Sequence, residues 1–168
     1  LAVKGRAAKT GYAREQFGRA WADVDRNGCD TRDDILRRDL RDPTFKPGAR
    51  ACVVLTGLLA DPYTGADIRF EHGLSSVDID HVVALGDAWV KGAAAWPPER
   101  RLALANDPLN LLAVDASATR AKRDGAAATG LPPSHAYRCR YVARQISAAV
   151  LSTCGVVLAS RTNQRASF

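Results

Sequence analysis

Methionine is missing altogether from this chain of 168 residues, which begins at Leu1. The chain is therefore read as a processed product from which any signal peptide has already gone. Long apolar runs are missing too. The longest, Cys52 to Ala60, is strand-sized, well short of the roughly 18 residues a membrane span needs, so no membrane partner is expected. Aromatic residues make up only 7% and histidines number three. No Cys-x-x-Cys pair occurs, which removes the usual spacing of a structural zinc site. Nothing repeats along the chain, and no shift in composition marks a second domain.

What is present suits one folded domain. Apolar residues are 46% and charged residues 25%, ordinary values for a globular protein with a real core. The net charge of +6 and a pI near 9.5 favour a polyanionic partner, nucleic acid first. Four cysteines allow three pairings. Cys29–Cys52 and Cys139–Cys154 are expected, because each pair closes a modest loop at one end of the chain; buried free thiols are the alternative. Disulfides imply an oxidising, extracellular setting.

Residues 1–10 read as a basic surface arm, 11–154 as a single domain and 155–168 as a polar tail. Phe17, Ala20, Trp21 and Val24 recur at helical spacing, and the helix they predict should stop at Asn27-Gly28. Asp23-Val-Asp25-Arg-Asn27-Gly28 also matches the first half of a calcium loop, with Asp34 at the closing position. The simpler reading is an Asx-rich turn leading to Cys29. Thr31 followed by Asp33 and Asp34 predicts a capped helix start, with Ile35, Leu36 and Leu40 on its apolar face and a break at Asp42-Pro43. Apolar strands on either side of Asp61 to Gly65 predict a hairpin. Gly86 to Ala105 reads as helix broken at Pro97-Pro98, and Ala136 to Val150 as a last helix.

The stretch around which the chain is organised is Val77-Asp78-Ile79-Asp80-His81-Val82-Val83. It is a β-branched strand with an acid and a histidine side by side. About thirty residues on, Asn106 to Asp115 predicts a second strand containing Asn110, and a polar helix follows from Ser117 to Asp124. Histidine accepts a proton near neutral pH, and a carboxylate beside it can hold a hard cation. In an extended strand, however, neighbouring side chains point to opposite faces. Asp80 and His81 reach one phosphate only if the strand bends or ends there.

The order strand with Asp-His, strand with Asn, then helix resembles the ββα-metal core of the His-Asn-His (HNH) endonucleases. The likeness is greatest to a secreted actinobacterial group whose domain is shared with the C-terminal part of Gmr-type modification-dependent restriction enzymes. It runs from Gly11 to Cys154. The resemblance implies an α+β fold: a ββα-metal (HNH-like) core with an additional β-hairpin and surrounding helices. It implies His81 as general base, Asp80 as a ligand of Mg²⁺ (or another divalent cation such as Mn²⁺ or Ca²⁺), and Asn110 pinning the loop that carries the histidine. Lys122 and Asp124 hold their places in the third motif, with Lys122 set to support the phosphate. Thr119 stands where relatives carry a metal-binding Asn or His, and Gly130 where they carry Trp. Asp80, Thr119 and Asp124 are thus the expected metal set.

Arg32, Arg120 and Arg123 are expected to contact the nucleic acid backbone, with Arg100 and Arg101 as weaker candidates. Such contacts carry no base information, so cleavage should be sequence-tolerant and salt-sensitive. The expected function is a secreted, monomeric, metal-dependent, non-specific endonuclease of DNA, or of RNA. The alternative is a secreted nucleic-acid-binding protein that keeps the nuclease fold with impaired turnover.

Overall fold

The computed structural model describes residues 7–74 and 76–154. The expected 155–168 tail, and the first six residues of the basic arm, lie outside them. The fold is mixed α+β, with two small antiparallel sheets and five helices among the described residues.

Helix α1 (Thr31–Asp39) begins one residue earlier in its capping than expected. The Asp30 carboxylate, rather than Thr31, accepts from Asp33 N at 2.8 Å, and Asp33 and Asp34 lie in the first turn, where the helix dipole favours them. The chain then runs directly into β1 (Leu40–Phe45), which pairs antiparallel with β2 (Val54–Ala60); β2 pairs in turn with β3 (Asp67–Glu71). β2 and β3 are the expected hairpin, closed around Asp61 to Gly65. β1 was not expected, because Asp42-Pro43 reads as a break. As an edge strand it tolerates proline: the register slips between Arg41 and Thr44, where Pro43 has no ladder bond to lose.

The second sheet consists of β4 (Val77–His81) and β5 (Leu111–Asp115), with Asp80 opposite Leu112 and His81 opposite Leu111. Helices α2 (Leu85–Val90) and α3 (Pro98–Ala105) fill the connection, and α4 (Ala116–Lys122) follows β5 at once. Asp115 caps α4, its carboxylate accepting from Ala118 N at 2.8 Å. Helix α5 (Arg138–Cys154) closes the described fold.

The β4–β5 pair is buried on both faces. Val77, Ile79, Leu111 and Ala113 pack with Ile35, Leu36, Val54 and Phe70 beneath the first sheet and α1. Leu112 and Val114 pack on the other face with Tyr63, Val82 and Tyr141. A third cluster gathers Phe17, Val83, Leu85, Trp89 and Leu104. Trp89 therefore serves packing.

Two expectations fail. The helix expected over Tyr12 to Val24 is only a 3-10 turn, Arg14–Phe17. Gly18 and Trp21 both sit at positive φ, so the apolar spacing comes from a looped segment in which Phe17 is buried while Val24 lies 46% exposed. The Cys29–Cys52 disulfide is present, but Cys139–Cys154 is not: Cys139 is free and exposed. Both residues belong to one continuous α5. Fifteen residues of helical rise separate them by about 22 Å, far beyond the reach of a disulfide.

Candidate functional site

Strand alternation decides the site. Asp80 faces α4 and α5, and His81 faces the opposite side, toward α3 and the looped segment before α1. No bend at β4 brings the two side chains together. They anchor two separate polar arrangements back to back.

On the first face, Asp80 is 5% exposed. One carboxylate oxygen accepts from the Tyr63 hydroxyl at 2.6 Å. Lys122 donates to the other at 3.0 Å and also to the His81 carbonyl at 2.7 Å. Lys122 is itself buried, because α4 aims it inward across the end of β4. Burial pushes the Asp80 carboxyl above its usual range, with the Lys122 ammonium and the Tyr63 hydroxyl opposing that rise. Burial beside Asp80 likewise pushes the Tyr63 phenol far up, so it stays a donor.

On the second face, His81 Nε2 lies 2.9 Å from the Ala105 carbonyl. A carbonyl only accepts, so Nε2 carries the proton and the basic lone pair is on Nδ1. The Trp21 ring stacks over the imidazole at 6.1 Å between centroids, and the residue is 8% exposed. A cavity of about 20 Å³ remains between His81, Arg14, Trp21 and Asn106. Burial, with help from the Arg14 and Lys122 charges, lowers the His81 pKa to about 4.

That shift has a testable sign. The unfolded histidine takes up a proton near pH 6.5, whereas the native one refuses it until about pH 4. Between those values the unfolded state binds more protons, so stability falls as the pH drops through the window. The total from this residue is about 3 kcal/mol. Asp33, Asp34, Asp80 and Asp107, raised by burial, act with the opposite sign. The measurement is therefore a difference: His81→Gln should lose less stability than the parent between pH 7 and pH 4.5. A His81 imidazole resonance, assigned by its loss in His81→Gln, titrating near pH 6.5 in the folded protein would refute it.

Asn110 braces the His81 side. It lies one residue before β5, in the Asp107–Asn110 turn, rather than inside the strand. Fully buried, its side chain accepts from Val83 N at 2.7 Å and donates to the carbonyls of Val83 and Leu104, each at 3.2 Å. Val83 is two residues beyond His81, and Leu104 precedes the residue whose carbonyl holds His81 Nε2. Asn110 thus ties together both segments that orient the imidazole.

The other expected residues are elsewhere. The Thr119 hydroxyl donates back to the Asp115 carbonyl at 3.2 Å. Asp124 pairs with Lys9 on the surface and sits tightly against Gly86. Asp80, Thr119 and Asp124 do not fit a divalent cation in this arrangement: an ammonium faces Asp80, and the other two are turned to different partners. No group of three or more His, Cys, Asp or Glu able to hold a metal occurs among the described residues. The Asp23, Asp25 and Asn27 stretch follows the simpler reading, its oxygens accepting from the backbone N–H groups of Asn27, Gly28 and Cys29.

Among the arginines, Arg32 and Arg120 share an open cleft with His72 and Asp78. Arg123 is exposed just past α4. Arg100 stacks on Trp96. Arg101 is buried and donates to the carbonyls of Gln16 and Trp96, a structural role. Trp21 and Tyr63, which touch the two anchors, and Arg14, which lines the cavity beside His81, were not foreseen as site residues. Their partners lie far off in sequence, and no local pattern announces them.

A paired strand with Asp-His, an asparagine turn and a helix delivering a lysine are compatible with an HNH-like domain. The family described as "GmrSD restriction endonucleases, C-terminal domain" matches residues 30–153, and the chain belongs to that family. A particular relative is an "Uncharacterized secreted protein" of Arthroderma benhamiae, 36% identical over 143 residues, which are 84% of this chain. The match spans 66% of that protein's length. It is fungal, so it does not tie the chain to the actinobacterial group. No solved structure matches.

Proposed function

We propose that the protein is a secreted endonuclease that hydrolyses phosphodiester bonds of DNA, or of RNA, without base preference, with β4, β5 and α4 as its ββα core. The observation that carries this reading is the His81 arrangement. A neutral imidazole is held by Nε2 and by the Asn110 brace, with its Nδ1 lone pair bearing no hydrogen bond among the described residues. In the reaction, Nδ1 takes the proton of a water as that water's oxygen bonds to phosphorus. The opposite P–O bond breaks and its oxygen leaves with the bonding pair, taking a proton from solvent; the resemblance implies a 5′-phosphate and a 3′-hydroxyl as products. Arg14 supplies positive charge on the His81 side. For a phosphate to reach Nδ1, the Arg14 to Trp21 segment must swing aside. No step is assigned to a metal, because the expected ligand set does not fit one. Export is supported by the disulfide and by the name of the fungal relative.

A second reading, a nucleic-acid-binding protein with impaired turnover, is favoured by Trp21 covering His81 and Lys122 neutralising Asp80. One experiment separates the two. Supercoiled plasmid is incubated with the parent protein, His81→Ala and Trp21→Ala, with Mg²⁺, with Mn²⁺ and with chelator. Nicking that His81→Ala abolishes and Trp21→Ala accelerates is expected. Nicking lost in chelator would restore the metal to the mechanism. No nicking by any protein in any condition would sink the hydrolytic reading in favour of binding alone.

A further inference from the structure

A deep cleft in the described fold lies away from His81. It lies where α1, the end of β2, β5 and α5 meet, with a volume of about 450 Å³. Arg38 of α1 and Arg140 and Arg144 of α5 line it, together with Tyr137 and Asp39. Residues 140 and 144 are four apart on a helix and so share one face. Asp39 is the one carboxylate in the lining, and it is fully used. Arg38 grips it through two nitrogens at 2.6 and 2.8 Å, and Ala113 N donates to it at 2.9 Å. Asp107, the next acid within electrostatic reach of Arg144, accepts from Leu109 N. Three guanidiniums therefore face one carboxylate that is already committed.

The two inner guanidiniums are also crowded. Arg38 donates to the Pro108 and Leu111 carbonyls at 2.7 and 2.8 Å, and Arg144 donates to the same two carbonyls, each at 2.9 Å, and to Leu109 at 2.8 Å. Two like charges converge on one pair of oxygens. Burial and the neighbouring Arg38 charge lower the Arg144 pKa. Arg140 is exposed and makes no hydrogen bond or ion pair among the described residues. Planar, forked donors match the paired oxygens of a phosphate. The half-buried Tyr137 ring adds an aromatic wall of the kind on which bases stack.

We infer that the groove between α1 and α5 is a phosphate-backbone site that takes a strand of nucleic acid, separate from the His81 centre. An anion there offsets the repulsion between Arg38 and Arg144. Its identity as a nucleic acid strand rests on the nuclease reading; its existence as a polyanion site does not. The site also bears on the other centre, since both arginines clamp the turn that presents Asn110. Neither Arg38 nor Arg144 follows from the strand and helix motifs, because the carbonyls they hold lie far along the chain.

The test is binding, measured on His81→Ala so that nothing is cut. A labelled 12-nucleotide single strand and the matching duplex are titrated by fluorescence anisotropy at low and moderate salt. Adding Arg140→Glu should weaken binding about tenfold and reduce the slope of log affinity against log salt by about 1. Arg50→Glu, the same charge change in an exposed turn after β1, should leave both nearly unaltered. Equal losses from the two changes, or no loss from Arg140→Glu, would overturn the groove. Inorganic phosphate and tripolyphosphate are the competing anions. If either displaces the oligonucleotide at a concentration near the oligonucleotide's own, the site belongs to small anions and the strand assignment falls. Plasmid nicking by the parent is scored separately, so a failed groove and a failed nuclease reading give different patterns.

Discussion

Lys122→Met should destabilise the protein by about 3–5 kcal/mol, the cost of removing one partner of a buried ion pair. For a chain of this size that lowers Tm by roughly 10 °C. The variant leaves the Asp80 carboxylate 5% exposed with the Tyr63 hydroxyl as its remaining side-chain donor. Asp80 then folds most readily as the neutral acid. A carboxyl whose native pKa is raised gives stability at low pH that is lost as the pH rises, so Lys122→Met should fall further behind the parent at pH 8 than at pH 5. Adding Asp80→Asn, whose amide oxygen still accepts from Tyr63, should restore much of the loss. The thermal melts of the four proteins form a double-mutant cycle. A deficit below about 1 kcal/mol for Lys122→Met, flat with pH, would show that the pair is open to solvent.

The same pair explains why the site was only partly legible. Strand periodicity placed Asp80 and His81 correctly on β4, and the alternation rule already demanded a bend if both were to serve one phosphate. There is no bend. Lys122, expected at the phosphate, turns inward and meets the residue expected to hold the metal. Nothing local encodes that choice, which depends on how α4 leaves β5 and on Tyr63 arriving from the β2–β3 turn. The apolar spacing of Phe17 to Val24 misled for a similar reason. Helical periodicity was there, but Gly18 and Trp21 at positive φ break the backbone, and the segment is used as a cover over His81. The proline that hid β1 is harmless at a sheet edge. The cysteines at either end of α5 were paired by position in the chain, before their common helix fixed them apart. Asn110 was the opposite case: its offset from Asp-His was readable, and its side chain bonds Val83 and Leu104 near His81.

Asn110 carries the second large expected effect. Asn110→Ala removes three side-chain hydrogen bonds at a position with no exposure. Val83 N and the carbonyls of Val83 and Leu104 lose those partners. At about 1 kcal/mol or more per stranded group, the loss should be about 3–4 kcal/mol. Asn110→Asp is more informative. Its carboxylate still accepts from Val83 N, but it turns an acceptor toward the two carbonyls that the amide had served. Protonation returns one donor, so the Asp variant should recover stability as the pH falls, while the Ala variant should not. A purely structural brace would stop there. A positioning role for His81 predicts more. At temperatures where Asn110→Asp is fully folded, the maximal cleavage rate should drop by a larger factor than the KM for DNA rises, since the Asn110 side chain bonds Val83 and Leu104 and meets the groove only through the turn that Arg38 and Arg144 hold. The His81 ring should also titrate closer to pH 6.5, because its anchors at Val83 and Leu104–Ala105 have loosened and water reaches the imidazole. Loss of stability with an unmoved histidine titration and an unmoved rate would reduce Asn110 to packing, and would remove the chief structural support for His81 as the base.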